Sequence, residues 1–219
     1  ASTITTAPAT AAQTACRVRI LDAGLDSMDV SDTSPDHAVT LEPLLTERVE
    51  VLRGPSTLLY GSSAIGGAVN AIDKEMPRQR VDPQGYEGAL EARYDTVSEA
   101  ETYVGYTTVG QDNWALTITG LDRDAEEYEI PADAREEDAE GTTLENSFVE
   151  TEQYSVGSSW FFNDDNRVGL SFSNYESRYG IPGHGHGHGA AAIDLERQRY
   201  DAELELVEVS DLVEALRAR

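Results

Sequence analysis

Cysteine, cationic side chains and long apolar runs are all scarce in this chain, and each scarcity removes a class of protein. The one cysteine among 219 residues, Cys16, allows no intrachain disulfide and no multi-cysteine metal site. It sits in AAQTAC, which faintly resembles a lipoprotein cleavage site, but no apolar stretch precedes it, so it reads as an incidental thiol. Lysine and arginine total 16 against 41 aspartates and glutamates, a formal charge of -25. Such a balance repels phosphate backbones, which excludes nucleic acid as a partner, and it disfavours docking on an anionic leaflet through a basic patch. No apolar run approaches the ~20 residues that a membrane-crossing helix needs. A β-barrel stays open, because its strands are individually weak signals.

Two explanations fit the acidity: attraction of divalent cations, or a surface adapted to high salt, as in a halophile. The acids are spread through the whole chain, which favours the second. Enzymatic signatures are missing. GSSAIGG (61–67) departs from the nucleophile-elbow pattern because Ile65 stands where its second glycine belongs. The sequence has no phosphate loop, dinucleotide fingerprint or H-E-x-x-H either, so the chain does not read as an enzyme.

Three regions differ in texture. Residues 1–16 are small and polar without periodicity and read as disordered. Residues 17–80 mix short apolar runs with glycine, which predicts compact α+β structure. Its expected elements are strands at 17–21, 48–52 and 68–72, a short helix at 40–46 and a turn at Ser56–Leu59. From 81 to 219 the hydrophobicity alternates with period two. Candidate strands are 87–97, 101–109, 113–123, 147–161, 166–178, 193–208 and 212–219. Trp114, Leu116 and Ile118 alternate with Ala115, Thr117 and Thr119. Val168, Leu170 and Phe172 alternate with Gly169, Ser171 and Ser173. Tyr200, Ala202, Leu204 and Leu206 alternate with Asp201, Glu203 and Glu205. This pattern suits a wall between lipid and water, and it equally suits a half-buried soluble sheet. The links break the tie. Those at 110–112, 162–165 and 209–211 are short, those at 124–146 and 179–192 are long, and only 98–100 departs from a short-side, long-side asymmetry. Outer-membrane barrels have that asymmetry, and soluble sandwiches have no reason for it. The acidic link 124–146 lacks EF-hand spacing and reads as a solvated external loop.

The most specific text is TERVEVLRGPSTLLYGSSAIGGAVNAID (46–73). Glu47, Arg48, Glu50 and Arg53 lead into Gly54-Pro55; Leu59-Tyr60-Gly61 and Ala64-Ile65-Gly66-Gly67 precede Val69-Asn70. Alternation here predicts that Val49 and Val51 pack a small sheet while Arg48, Glu50 and Arg53 point outward. Gly54-Pro55 would end the strand, and Gly61, Gly66 and Gly67 would permit sharp turns or close approach. The stretch closely resembles the plug signature of TonB-dependent outer-membrane receptors, and the likeness extends over 17–219. Arg48, Glu50, Arg53, Gly54, Pro55, Tyr60, Gly61, Gly66, Gly67 and Asn70 then stand as structural signature residues. Within that family, RVRILDAGLDSMDVSDTSPDHAVTLEPLL (17–45) is most similar to the zinc-receptor branch.

The resemblance implies an α+β plug remnant followed by an antiparallel all-β barrel portion in the outer membrane of a Gram-negative bacterium. TonB with its inner-membrane energising complex, outer-membrane lipid, and a metal ion or metal chelate would be its partners. No tightly bound cofactor is implied; zinc or another divalent metal would be cargo. Two departures point to a fragment. The first half of the plug, with its TonB box, has no counterpart, and seven strands fall short of the roughly 22 that close such a barrel around its plug. Alternatives are a siderophore or haem receptor of the same family, and a soluble acidic β-rich binding protein.

Three of the four histidines, His184, His186 and His188, alternate with glycine in GHGHGHG (183–189). In an extended segment, residues two apart face the same way, and the glycines allow the segment to curl around an ion. Imidazole suits zinc, copper and nickel, and Asp194 or Glu196 is a candidate further ligand. Binding of this kind is expected to weaken below about pH 6, where imidazole protonates. His37, in SPDHAV, is a candidate plug ligand, with an ordinary hydrogen-bonded histidine as the alternative.

Overall fold

The computed structural model describes residues 18–26, 41–54, 66–81, 85–131, 141–182, 191–210 and 213–218. Its contacts divide the chain into two compact units, 1–73 and 74–219.

In the first unit a four-stranded sheet has the order β2-β1-β4-β3, with β1 Val18–Asp22, β2 Leu25–Asp26, β3 Thr46–Arg53 and β4 Gly67–Asp73. β1 pairs parallel with β4, and β3 pairs antiparallel with it. Central β4 is built for burial: Ala68, Ala71 and Ile72 are core residues, joined by Leu21 of β1. The two-residue β2 follows a tight turn at Ala23 and Gly24, both at positive φ, and was not foreseen from the sequence. The helix expected at 40–46 is only a 3-10 turn, Pro43–Leu45. Pro43 starts a helical turn readily, but Thr46 is already extended and begins the β-rich TERVEV, so the turn cannot propagate. The expected turn at Ser56–Leu59 lies outside the described residues.

β3 corrects a second expectation. Val49 and Val51 are 56% and 62% exposed, whereas Glu50 is half-buried. Strict alternation also puts Arg53 on the valine face, away from Arg48 and Glu50. The physical reason is Asn70, opposite Glu50 in the register, whose Nδ2 donates to Glu50 Oε2 at 3.0 Å.

The second unit is an antiparallel meander of seven strands, ordered β11-β10-β9-β8-β7-β6-β5 and not closed. β5 is Tyr86–Asp95, β6 Ala100–Gln111, β7 Trp114–Ala125, β8 Val149–Phe161, β9 Arg167–Ile181, β10 Ala191–Ser210 and β11 Val213–Ala218. All seven foreseen strands are present, with no end shifted by more than three residues. β7, β8 and β9, of 12, 13 and 15 residues, exceed the roughly 9–11 that a tilted strand needs to cross hydrocarbon.

The two faces of this sheet are the reverse of a soluble one. Large apolar side chains are exposed: Leu90 87%, Tyr200 75%, Leu170 60% and Ile118 50%. Trp114 and Trp160 sit opposite each other near the short-turn end of the same face. The buried face is rich in small hydroxylic side chains, with Val104, Leu121, Phe161, Tyr175 and Tyr179 buried among them. Thr108 bonds Thr117 at 2.9 Å, Thr119 bonds Ser155 at 2.7 Å, and Thr151 bonds Ser177 at 3.0 Å, each pair across neighbouring strands. A contiguous exposed apolar band is unfavourable in water and suits lipid.

The segment after the first unit lies against this hydroxylic face. Ser159 donates to the Pro77 carbonyl at 2.5 Å, and a Cβ on Gly169 would come within 2.5 Å of the Met76 sulfur. A Cβ on Gly157 would strike the Glu75 carbonyl, so two strand glycines open a slot for residues 75–77. Beside it Arg167 pairs with Glu203 at 2.5 Å and Arg78 with Glu203 at 3.3 Å, all of them nearly buried.

Candidate functional site: the loop-bearing rim of the wall

Both long links leave the same end of the sheet, 126–148 between β7 and β8 and 182–190 between β9 and β10. The described parts of the first are folded back on themselves. Ile130 donates to the Thr142 carbonyl at 2.7 Å and Leu144 to Tyr128 at 2.8 Å. Ser147 closes the base, accepting from the Tyr128 N–H at 2.8 Å and donating to the Leu144 carbonyl at 2.7 Å. The excursion also rests on the β5–β6 turn, with Glu126 and Glu129 N–H groups donating to Ser98 and Val97 carbonyls at 2.8 and 3.0 Å. The described parts of this link are thus bonded to one another and to the neighbouring turn. A depression of about 440 Å³ lies at this base, lined in part by Glu99, Glu126, Glu127 and Glu129.

Strand register lines up a second set of acids on the exposed face at the rim. One row across neighbouring strands runs Glu101, Asp124, Glu150, Arg178, Asp194, and the next runs Tyr103, Asp122, Glu152, Glu176, Glu196. Like charges directly opposite repel, which strands tolerate only where water or counter-ions reach them. Arg178 is the cation in this field: it lies 3.5 Å from Asp194, 4.0 Å from Glu150 and 5.5 Å from the Phe148 ring centre. Glu150, Glu152, Glu176, Arg178, Asp194 and Glu196 line an open depression of about 430 Å³.

Asp194 and Glu196 therefore share one strand face at the foot of the 182–190 link, and Asp194 is engaged by Arg178. His184, His186, His188 and His37 lie outside the described residues, as do Pro55, Tyr60 and Gly61. Among the described residues, no three or more histidine, cysteine or carboxylate side chains are placed so that they could hold a metal ion. The sequence missed the carboxylate rows, because it shows each acid on its strand but not which acids the register sets side by side.

The remaining signature residues form one joint in the first unit. Asn70, 6% exposed, accepts from the Gly24 N–H at 2.7 Å while its Nδ2 holds Glu50. It so ties the β1–β2 turn to β3 through β4. Arg48 bonds Glu50 at 3.0 Å; that hydrogen bond, followed by the charge of Glu47, raises the guanidinium above its ordinary range against the opposing effect of burial. Gly54, at φ +94°, ends β3 and donates to the Gly66 carbonyl at 3.1 Å. Gly67, at φ +145°, leaves no room for a Cβ against the Leu52 carbonyl. Arg53 is exposed at the strand end.

An open antiparallel sheet with apolar side chains exposed and hydroxyls buried, preceded in the chain by a small four-stranded sheet, is the architecture of an outer-membrane β-barrel wall and a plug segment. Residues 16–68 match the family model of the TonB-dependent Receptor Plug Domain. The chain is 42% identical over 64 residues to the Hemin receptor of Yersinia enterocolitica, covering 27% of this chain and 9% of that protein. It is 29% identical over 166 residues to the Vitamin B12 transporter BtuB of Photobacterium profundum, covering 75% of this chain and 25% of that protein. The FrpB iron transporter from Neisseria meningitidis has the same fold, with a TM-score of 0.71 at 16% identity over 93% of this chain and 32% of its own. The chain thus carries a TonB-dependent receptor plug segment and has its homologues among these receptors and transporters. Its localisation is theirs, the outer membrane. It spans less than a third of the length of each relative named here.

Proposed function

We propose that this chain is part of a TonB-dependent receptor for energised uptake of a divalent metal, zinc in the first instance, captured by His184, His186 and His188. The carrying observation is GHGHGHG itself: three imidazoles at alternating positions between Ile181 and Ala191, where the strands end beside a rim lined with carboxylates. Asp194 and Glu196 supply further oxygen ligands or raise the local cation concentration. In this reading residues 17–80 belong to the plug and 81–219 to the barrel, whose exposed apolar face contacts lipid. TonB and its inner-membrane complex act on the complete receptor, and His37 is a secondary candidate ligand in the plug.

Isothermal titration of zinc, copper and nickel into the full chain in detergent, beside a His184/His186/His188→Ala variant, tests this. Saturable zinc binding that disappears in the variant supports metal capture; absent or unchanged binding removes it. The identity to a hemin receptor favours one second reading, a haem or siderophore cargo. That reading expects chelate binding with no binding of the free ion.

A further inference from the structure

We propose that Asn146 is a positioning residue that joins the base of the 126–148 excursion to the stem of the histidine-bearing link, so that the two act as one ligand-facing body. The inference rests on the metal-capture reading for its functional consequence. Its structural half stands on the described residues alone. Both hydrogens of the Asn146 amide are used across to the other hairpin: Nδ2 donates to the Ile181 carbonyl and to the Ala191 carbonyl, each at 2.8 Å. Ile181 and Ala191 are register partners, the last pair of β9 and β10 before the link departs. A primary amide is the shortest side chain that offers two N–H donors from one nitrogen; an aspartate carboxylate offers no donor and a serine hydroxyl a single O–H.

The backbone is shaped for this contact. Asn146 has φ +61°, a conformation in which asparagine is enriched among residues with a Cβ. Its own N–H donates to Glu127 Oε1 at 2.6 Å, which fixes it to the opposite leg of its excursion. From the other side, Gly180 donates to the Phe148 carbonyl at 3.1 Å, and a Cβ there would collide with the Asn146 carbonyl. Closing the excursion alone would need none of this, because Ser147 already bonds both legs at its base. The side-chain bonds made by Asn146, beside the backbone bond from Gly180 to Phe148, are the ones that reach the neighbouring hairpin.

The test uses the full chain in detergent with Asn146→Gly, which keeps the positive φ, and Asn146→Asp, which keeps the shape but removes both donors. Amide exchange is read without metal at Gly180 and at 191–193, and zinc affinity is read by titration. Coupling predicts roughly tenfold faster exchange at those amides and zinc binding weakened several-fold in both variants. Tryptophan-monitored unfolding should keep its midpoint. Wild-type exchange together with wild-type zinc affinity in Asn146→Gly would overturn the proposal, as would a lowered unfolding midpoint with unchanged affinity. Should the unsubstituted chain bind no zinc, the metal reading fails on its own and the exchange data alone decide: faster exchange retains the coupling, and unchanged exchange removes it.

Discussion

Gly157 in β8 and Gly120 in β7 are both interior strand glycines, but their surroundings differ. A methyl group on Gly120 meets nothing within 4 Å, whereas on Gly157 it strikes the backbone carbonyl of Glu75. Gly157→Ala is expected to destabilise the wall by about 1–3 kcal/mol, since backbone cannot step aside as a side chain can. Gly120→Ala should be neutral or slightly stabilising, by up to about 1 kcal/mol. Urea unfolding in detergent, followed through Trp114 and Trp160, measures both. At Glu203 the same measurement reads a buried charge. Glu203→Gln removes a buried carboxylate shared by Arg167 and Arg78, leaving Arg167 with Glu205 at 3.5 Å, and should cost up to about 3 kcal/mol. Arg178→Gln, on a half-exposed rim pair, should cost less than about 1 kcal/mol. Neither contrast is legible in the sequence, because the partners of Gly157 and Glu203 are far away along the chain. The signature glycines were easier to read. Gly54 and Gly67 do sit at positive φ, as turn-rich text suggests.

At the scale of elements, period-two alternation located all seven barrel strands, since a strand's side-chain repeat is written directly in its sequence. It grouped Trp114, Leu116 and Ile118 on one face but left open whether that face was dry. The structure exposes it, with Ile118 half exposed and its neighbour Thr117 fully enclosed. A lysine on the lipid face is therefore the informative substitution. Ile118→Lys should weaken folding into lipid vesicles by about 2–4 kcal/mol, read from the urea dependence of vesicle-bound folding. An unchanged midpoint would place that face away from hydrocarbon. Alternation failed in β3, where it put Val49 and Val51 inward. Edge strands bury less than their pattern suggests, and a single polar partner, Asn70, drew Glu50 to the covered side. The expected helix at 40–46 failed for a local reason, since one helical turn ahead of a β-branched, alternating run has nothing to extend it.

For the whole molecule, charge is the dominant quantity. With a net charge of -25 and like charges facing one another across the rim, salt should stabilise the fold. Raising sodium chloride from 0.1 to 1 M shortens the screening length from about 10 to about 3 Å, and the melting temperature in detergent should rise by several degrees. A fall would remove salt adaptation as the meaning of the acidity. Zinc affinity should drop between pH 7.5 and 5.5 as the imidazoles take up protons. Titration at the two pH values distinguishes histidine capture from capture by acids, which would change little. The sequence by itself determined the class of wall, its strand positions and the plug text, because side-chain period and turn chemistry are local properties. It also set out the candidate histidines in a row. Only the tertiary structure decided which face is exposed, which acids stand side by side at the rim, and that Asn146 reaches across to Ile181 and Ala191. Those facts depend on register and on contacts between segments remote in the chain, which local pattern does not encode.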